Sequence, residues 1–397
     1  MTSRAERRRG VAAALLLGIA CLTRAPALAA QEEGNPWRVS DFPYLLGDPT
    51  NGLLVIGHIQ FAKEADYDAR VPYDGYLGLE GAWGTRSSRY LTLKFRAPTL
   101  YKRWRLAADA GAVREGRFGY FGQGAGGQGA GVNPDDAAAD RVHRTRYFGR
   151  GELTRALMPH LAVAGAVGIT YFRYEGLAAS DQFHADFGDA ALTGTDATGR
   201  VSLIFDTRRN ELVPHSGVLL EAGLYAGSGK YETRSGGTPS FSGSGYTGVY
   251  AHLRGWVAPL RSTVLSGRVA VRSLSQNAPL DARYVLPGWE RELTVLGGPD
   301  SQRGLIRGRY VGRGVFISSV DVRHTLIDVG DYGSINVLAF LDAGRVDDGA
   351  AKLSLSHLKV GGGVGLGIKV IRSALLSINF ATGPDGFTFS MANGWAF

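Results

Sequence analysis

The side chains able to do chemistry in this chain stand two residues apart, on one face of short segments. Lys94 and Arg96 alternate with Leu93 and Phe95; Arg103, Arg105 and Asp109 oppose Trp104, Leu106, Ala108 and Ala110. His252 and Arg254 alternate with Ala251 and Leu253, and Arg268 and Arg272 oppose Val269 and Val271. Such spacing suits an electrostatic lining and not a catalytic centre. There is no Gly-x-Ser-x-Gly elbow and no nucleophile paired in sequence with a base. A single His252 offers no metal-ligand set and reads as a hydrogen-bonding lining residue. Gly122, Gly124 and Gly127 have the spacing of a dinucleotide fingerprint, but no buried strand leads in and no helix follows, so they read as a glycine-rich surface loop. No enzyme activity, cofactor or metal is expected.

Only β-strands put alternate residues on opposite faces. Leu91, Leu93 and Phe95 make one face of residues 89–97, and Tyr90, Thr92, Lys94 and Arg96 make the other. The pattern recurs along the chain and reaches its last residues. There Phe387, Phe389, Met391, Trp395 and Phe397 share a face, with Asn393 alone out of pattern. About sixteen such segments can be counted from 41–47 to 387–397. Short connections alternate with long ones at 116–143, 174–195, 231–245 and 275–313. A strand with an apolar face and a charged face suits a wall between lipid and a polar interior, because charge on the lipid face costs several kcal/mol near the midplane. The expected fold is all-β: a 16-stranded antiparallel transmembrane β-barrel over residues 31–397, with a cation-rich lumen.

Residues 1–30 read as a secretory signal peptide. Arg4, Arg7, Arg8 and Arg9 precede an apolar run from Val11 to Leu22, and Ala27-Leu28-Ala29 is a small-x-small cleavage site. A lipoprotein signal through Cys21 is the alternative, but Gly18-Ile19-Ala20 lacks the leucine such a signal carries. The leader holds five Arg and one Glu, or +4, so +4 of the chain's +8 remains beyond it. That excess, without a basic helical stripe or zinc spacing, excludes nucleic acid as a natural partner. Beyond Cys21 the chain has no cysteine, hence no disulfide.

Three segments carry a resemblance. Residues 205–217 read Phe-Asp-Thr-Arg-Arg-Asn-Glu-Leu-Val-Pro-His-Ser-Gly; 296–310 read Leu-Gly-Gly-Pro-Asp-Ser-Gln-Arg-Gly-Leu-Ile-Arg-Gly-Arg-Tyr; 340–346 read Phe-Leu-Asp-Ala-Gly-Arg-Val. With terminal Phe397, their order and spacing resemble the BamA/TamA superfamily of outer-membrane insertases and translocators, the bacterial surface antigen family. The resemblance is full over about 196–397 and looser over 42–195. It implies a 16-stranded barrel whose sixth extracellular loop folds inward. It further implies that the loop's Arg-Gly tip, here Arg303 and Gly304, meets Phe340 and Asp342. The family pattern has an apolar residue before this arginine and an aromatic after the glycine; here they are Gln302 and Leu305. The aromatic terminus, with Phe387, Phe389, Trp395 and Phe397, resembles the signal read by the outer-membrane assembly machinery. The family's periplasmic polypeptide-transport-associated domains need more room than the roughly 11 residues between the leader and the first strand, so they are expected to be absent.

The residues themselves support an inward loop. Asn336, Phe340 and Asp342 face the lumen, and Asp321 and Arg323 point the same way and can join a network. Gly361, Gly363, Gly365 and Gly367 face inward on the next strand. Glycine costs about 0.5–1 kcal/mol within regular structure, so four in alternation mark either curvature or close approach by another backbone. The expected role is protein or lipid insertion or translocation at a Gram-negative-type outer membrane, by opening between first and last strands. A passive, partly plugged channel and a structural surface antigen are the alternatives. Expected partners are outer-membrane lipid, the assembly machinery during biogenesis, and a separate periplasmic protein.

Overall fold

The computed structural model describes residues 36–66, 69–101, 103–122, 140–177, 181–235, 238–330, 333–354, 356–370 and 374–397. The leader 1–30, and Gly124 and Gly127 of the glycine-rich loop, lie outside the described residues.

Sixteen antiparallel strands follow in chain order as one sheet. They are β1 (Trp37–Asp48), β2 (Gly52–Glu64), β3 (Tyr73–Gly84), β4 (Arg89–Tyr101), β5 (Trp104–Gly119), β6 (Arg141–Met158), β7 (Leu161–Gly176) and β8 (Leu192–Asp206). Then come β9 (Gly217–Ser235), β10 (Thr238–Leu260), β11 (Thr263–Leu274), β14 (Gly314–Asp328), β15 (Gly333–Asp347), β16 (Lys359–Val370), β17 (Ala374–Gly383) and β18 (Gly386–Asn393). Between β11 and β14 a two-residue ladder joins β12 (Val285–Leu286) to β13 (Leu293–Thr294). One rim carries tight turns at 159–160 and 261–262, and the other carries the long connection 275–313.

The alternation produces an inverted protein. Val249, Leu253 and Val257 of β10 are exposed, while His252, Arg254 and Trp256 between them are buried. The same holds on β11, where Leu265 and Val269 look outward and Ser266, Arg268 and Arg272 are buried. Apolar residues outside and charges inside are stable only with hydrocarbon around the wall. Among the described residues no helix is long and apolar enough to cross a membrane.

Three sequence expectations need correction. The segment 231–245 is not a loop: β9 and β10 pair through it, Ser235 opposite Thr238, Thr233 opposite Ser240 and Tyr231 opposite Ser242. Its many Gly and Ser residues hide the β-forming Tyr231, Thr233 and Phe241 between them. The last strand does not run to Phe397. It stops at Asn393, Gly394 takes φ +93°, and the tail turns into the lumen, burying Trp395 and Phe397. A positive φ there ends the ladder, as only glycine accepts it freely. Finally, the lumen is not simply cationic. Buried arginines are nearly matched by buried carboxylates, among them Glu152, Asp206, Glu221, Asp321 and Asp342.

Every sequential pair of wall strands shares a ladder. β1 and β18 lie side by side, yet among the described residues no ladder joins them.

Candidate functional site

The connection 275–313 leaves β11 at the rim of long loops and descends into the barrel. Leu280–Arg283 makes a helical turn, and β12 and β13 form a hairpin whose tip, 287–292, reaches toward the opposite rim. Trp289 donates from its main-chain N to Glu221 at 2.8 Å and from its indole N to Thr154 Oγ1 at 3.0 Å. Glu290 accepts from Arg208 and from Arg254, each at 2.7 Å. Burial opposes the Glu290 charge, but Arg208 and Arg254 overcome it and hold the carboxyl down at about 2. Arg208 also chelates Asp206, which Arg70 reaches at 2.5 Å, while Arg105 grips Glu211 bidentately at 2.8 Å. The Asp206-Thr207-Arg208 strand end is thus the floor on which the loop hairpin stands.

The second part of the loop, 296–310, crosses to the wall of β14–β18. Arg303 donates through Nε and a terminal N to the two oxygens of Asp342, both at 2.8 Å, and its main-chain N–H adds a bond at 2.9 Å. The same guanidinium reaches Asp321 at 2.6 Å, and its carbon lies 3.6 Å from the Phe340 ring centroid. Bidentate pairing and ring stacking together use the planar fork that only arginine has. Side-chain exposure is 1% for Arg303 and 0% for Asp321 and Asp342, so this is a dry contact and not a solvated pair. Burial alone would weaken the Arg303 charge; the two carboxylates instead raise its proton affinity above that of an ordinary arginine. Arg323 joins through Asp321 at 3.0 Å.

The glycine lane of β16 is filled from the loop, the neighbouring wall strands and the tail. A Cβ on Gly361 would stand 3.0 Å from the Cα of Gly304, so loop and wall meet backbone to backbone there. Gly363 lies under the Phe340 ring and against the Phe380 carbonyl. Gly365 faces Leu338 and the Ile378 carbonyl, and Gly367 lies beneath the Trp395 ring. The loop therefore takes only the Gly361 end of the lane, and the inturned tail takes the other. Phe387 and Phe389 remain on the outer face, while Trp395 and Phe397 do not.

Several contacts were not visible in the sequence. Asp385, in the turn between β17 and β18, accepts from Arg309 at 2.8 Å and from the Ile306 N–H at 3.1 Å. Gln302 donates to the Lys359 carbonyl at 2.5 Å, and Leu305 enters an apolar cluster with Leu296, Tyr310 and Val346. The two departures from the family pattern are thus both buried contacts. Thr388 Oγ1 donates to the Arg303 carbonyl at 2.7 Å, tying the tip to β18. Arginines recurring at 303, 307 and 309 were the available signal that the loop needed acidic partners. Among the described residues no group of three or more His, Cys, Asp or Glu side chains is placed to hold a metal ion.

The comparisons agree with this architecture. The barrel superposes on a crystal structure of BamA from Haemophilus ducreyi lacking POTRA domains 1–3 with a TM-score of 0.54 and 12% identity, over 97% of this chain and 78% of that one. CdiB from Escherichia coli gives a TM-score of 0.54 and 12% identity, over 92% of this chain and 64% of that one. The chain thus spans under two thirds of the CdiB chain. At such identity these likenesses show the fold. No curated protein sequence matches the chain. The Omp85 superfamily domain matches residues 75–391, nearly the whole wall and all of the inward loop. The chain belongs to the Omp85 superfamily, as an outer-membrane barrel of the insertase and translocator type.

Proposed function

We propose that this barrel resides in the outer membrane of a Gram-negative-type envelope and inserts or translocates protein or lipid there by opening between β1 and β18. The observation that carries the reading is the seam. Backbone ladders cost most to break where they are continuous, and β1 and β18 are the one neighbouring pair lacking a ladder among the described residues. Side chains bridge the seam instead. The Phe389 ring comes within 3.8 Å of the point where a Cβ on Gly47 would stand. A wall with one weak join and a filled lumen moves cargo more easily through its side than along its axis. No chemistry is performed on the cargo in this reading; the chain acts as a non-enzymatic insertase or transporter. Outer-membrane lipid, the assembly machinery and a periplasmic protein are its natural partners.

The test is a cross-link between Gly47→Cys and Phe389→Cys through a thiol-cleavable bis-maleimide, with Cys21→Ser to keep the pair unique. Cross-linked protein should lose the ability to insert a reporter barrel into liposomes, and cleaving the linker should restore it. Full activity in the cross-linked state would rule out lateral opening.

The passive-channel reading keeps one observation. Lys94 is 44% exposed and Arg105 is 30% exposed, so the lumen beside β4 and β5 is wetter than the wall holding Arg303. Conductance separates the two readings.

A further inference from the structure

Arg268, on β11, is 2% exposed and serves two elements at once. One terminal nitrogen donates to the Asp300 carbonyl at 2.8 Å and to the Ala396 carbonyl at 3.2 Å. The other donates to the Ser301 carbonyl at 2.7 Å and to Ser319 Oγ at 2.9 Å. Its guanidinium carbon also stands 4.9 Å from the Phe397 ring centroid. Residues 300–301 belong to the inward loop; residues 395–397 are the inturned tail of the seam strand. A second loop arginine, Arg291, donates to the carbonyls of Trp395 at 3.0 Å and Ala396 at 2.5 Å.

We propose that Arg268 is a positioning residue that locks the loop to the tail of β18, so that freeing either one frees the other. The guanidinium has a fixed fork of donors and no freedom to re-aim one without moving the rest. If the tail leaves, the Ala396 contact and the Phe397 ring are lost, and a buried donor faces empty space. If the loop leaves, two more bonds go. Each departure thereby lowers the cost of the other, and such coupling between two sites is reciprocal. A β18 that must swing to open the seam would carry the loop with it. The inference goes beyond the transport reading, since it concerns the resting barrel and holds whatever the cargo is.

The test uses full-length barrel in detergent with Cys21→Ser. Tail exposure is read by maleimide labelling of Ala396→Cys, whose side chain makes none of the contacts above. Loop exposure is read by tryptic cleavage at Arg307. Leu305→Ala disturbs the loop within its apolar cluster, away from the tail; Trp395→Ala disturbs the tail, away from the loop. Each should raise exposure of the other element by about fivefold or more. Arg268→Lys, which keeps the charge but loses the fork, should reduce both cross-effects severalfold, the remainder passing through Arg291. Heat-dependent gel migration reports the folded barrel in every variant. Leu305→Ala that opens the loop but leaves tail labelling unchanged overturns the coupling. Cross-effects that persist undiminished in Arg268→Lys also overturn the assignment, moving it to the direct Arg291 contacts or to the link from Arg303 through Asp321 and Arg323 to the Phe397 carbonyl. If Arg268→Lys does not fold, the Leu305→Ala and Trp395→Ala pair decides whether the elements are coupled at all. None of these readouts needs transport, so failure here leaves the seam proposal standing.

Discussion

Gly304 and Gly361 meet without side chains: the Cα of one lies 3.0 Å from where a Cβ on the other would stand, and Thr382 O lies 3.1 Å from the same point. The contact fixes how deeply the loop tip seats against β16. Gly361→Ala should lift the tip and raise protease access to 296–310 several-fold with the barrel still folded. Gly255→Ala, whose Cβ would meet nothing within 4 Å, is the matched control and should change nothing. Equal behaviour of the two variants would show that the lane merely permits curvature.

Arg303→Ala should free the loop more completely. Removing one partner from a buried ionic cluster costs about 3–5 kcal/mol, because Asp342 is left uncompensated while Asp321 keeps only Arg323. That exceeds the ~0–1 kcal/mol of a solvated pair, the value a wet lumen would give. Limited proteolysis in detergent measures it. Arg303→Ala combined with Asp342→Asn should recover part of the loss, since the remaining pair of Asp321 with Arg323 leaves no buried charge unmatched, and adding Asp321→Asn should undo that recovery by stranding Arg323.

The lower hairpin should respond to acid. The Glu290 carboxyl is held at about 2, below the ordinary glutamate value near 4.3 that it would have in an unfolded chain. A depressed folded value gives stabilisation that is complete above the unfolded one and is lost as pH falls through the folded one. Hairpin 285–294 should therefore stay protected from neutral pH to about 4, then loosen toward pH 2. Pepsin cleavage across that range reads it, and Glu290→Gln should remove the step.

Planar bilayers test the plug. The intact protein should conduct poorly, as the loop meets the walls from Asp385 at one rim to Arg208 and Arg254 near the other. Deleting 296–310 should raise conductance, since sixteen strands can enclose an aqueous channel when empty. Large, stable channels from the intact protein would favour passive diffusion.

Removing Phe397 should lower the amount of barrel reaching the membrane, if the aromatic terminus is read during assembly. Because its ring is buried near Arg268 and Arg323, the barrel that does form should also show a looser tail by labelling at Ala396→Cys. Normal membrane levels would contradict the assembly role.

The wall was legible because burial and period coincide in it. β15 shows this best: Ile335, Ala339 and Leu341 face outward while Asn336, Phe340 and Asp342 face inward, as the bare alternation requires. The pattern misled where backbone conformation overrode it. Trp395 and Phe397 keep the period of β18, but the turn at Gly394 sends them inside; Asn393, out of step, marked the break. Loop contacts such as Glu290 with Arg208, or Asp385 with Arg309, were illegible because they join segments more than 70 residues apart. Periodicity says which way a side chain points and nothing about which distant backbone arrives to meet it.

The paired ribbon of β9 and β10 changes how this protein presents itself to other bodies. A membrane-crossing strand needs about 9–11 residues, whereas β9 has 19 and β10 has 23. At ~3.3 Å per residue the surplus of β10 is about 40 Å of ladder-stiffened ribbon measured along the strand. The strand ends at Ser235 and Thr238 lie on the rim of long loops, where β10 runs ten residues past its last pairing with β11 at Gly248 and β8 flanks β9 as far as Glu232. The wall is therefore taller here than at β11, and the mouth is lopsided. An object approaching from that side meets a raised lip of backbone before it reaches the opening.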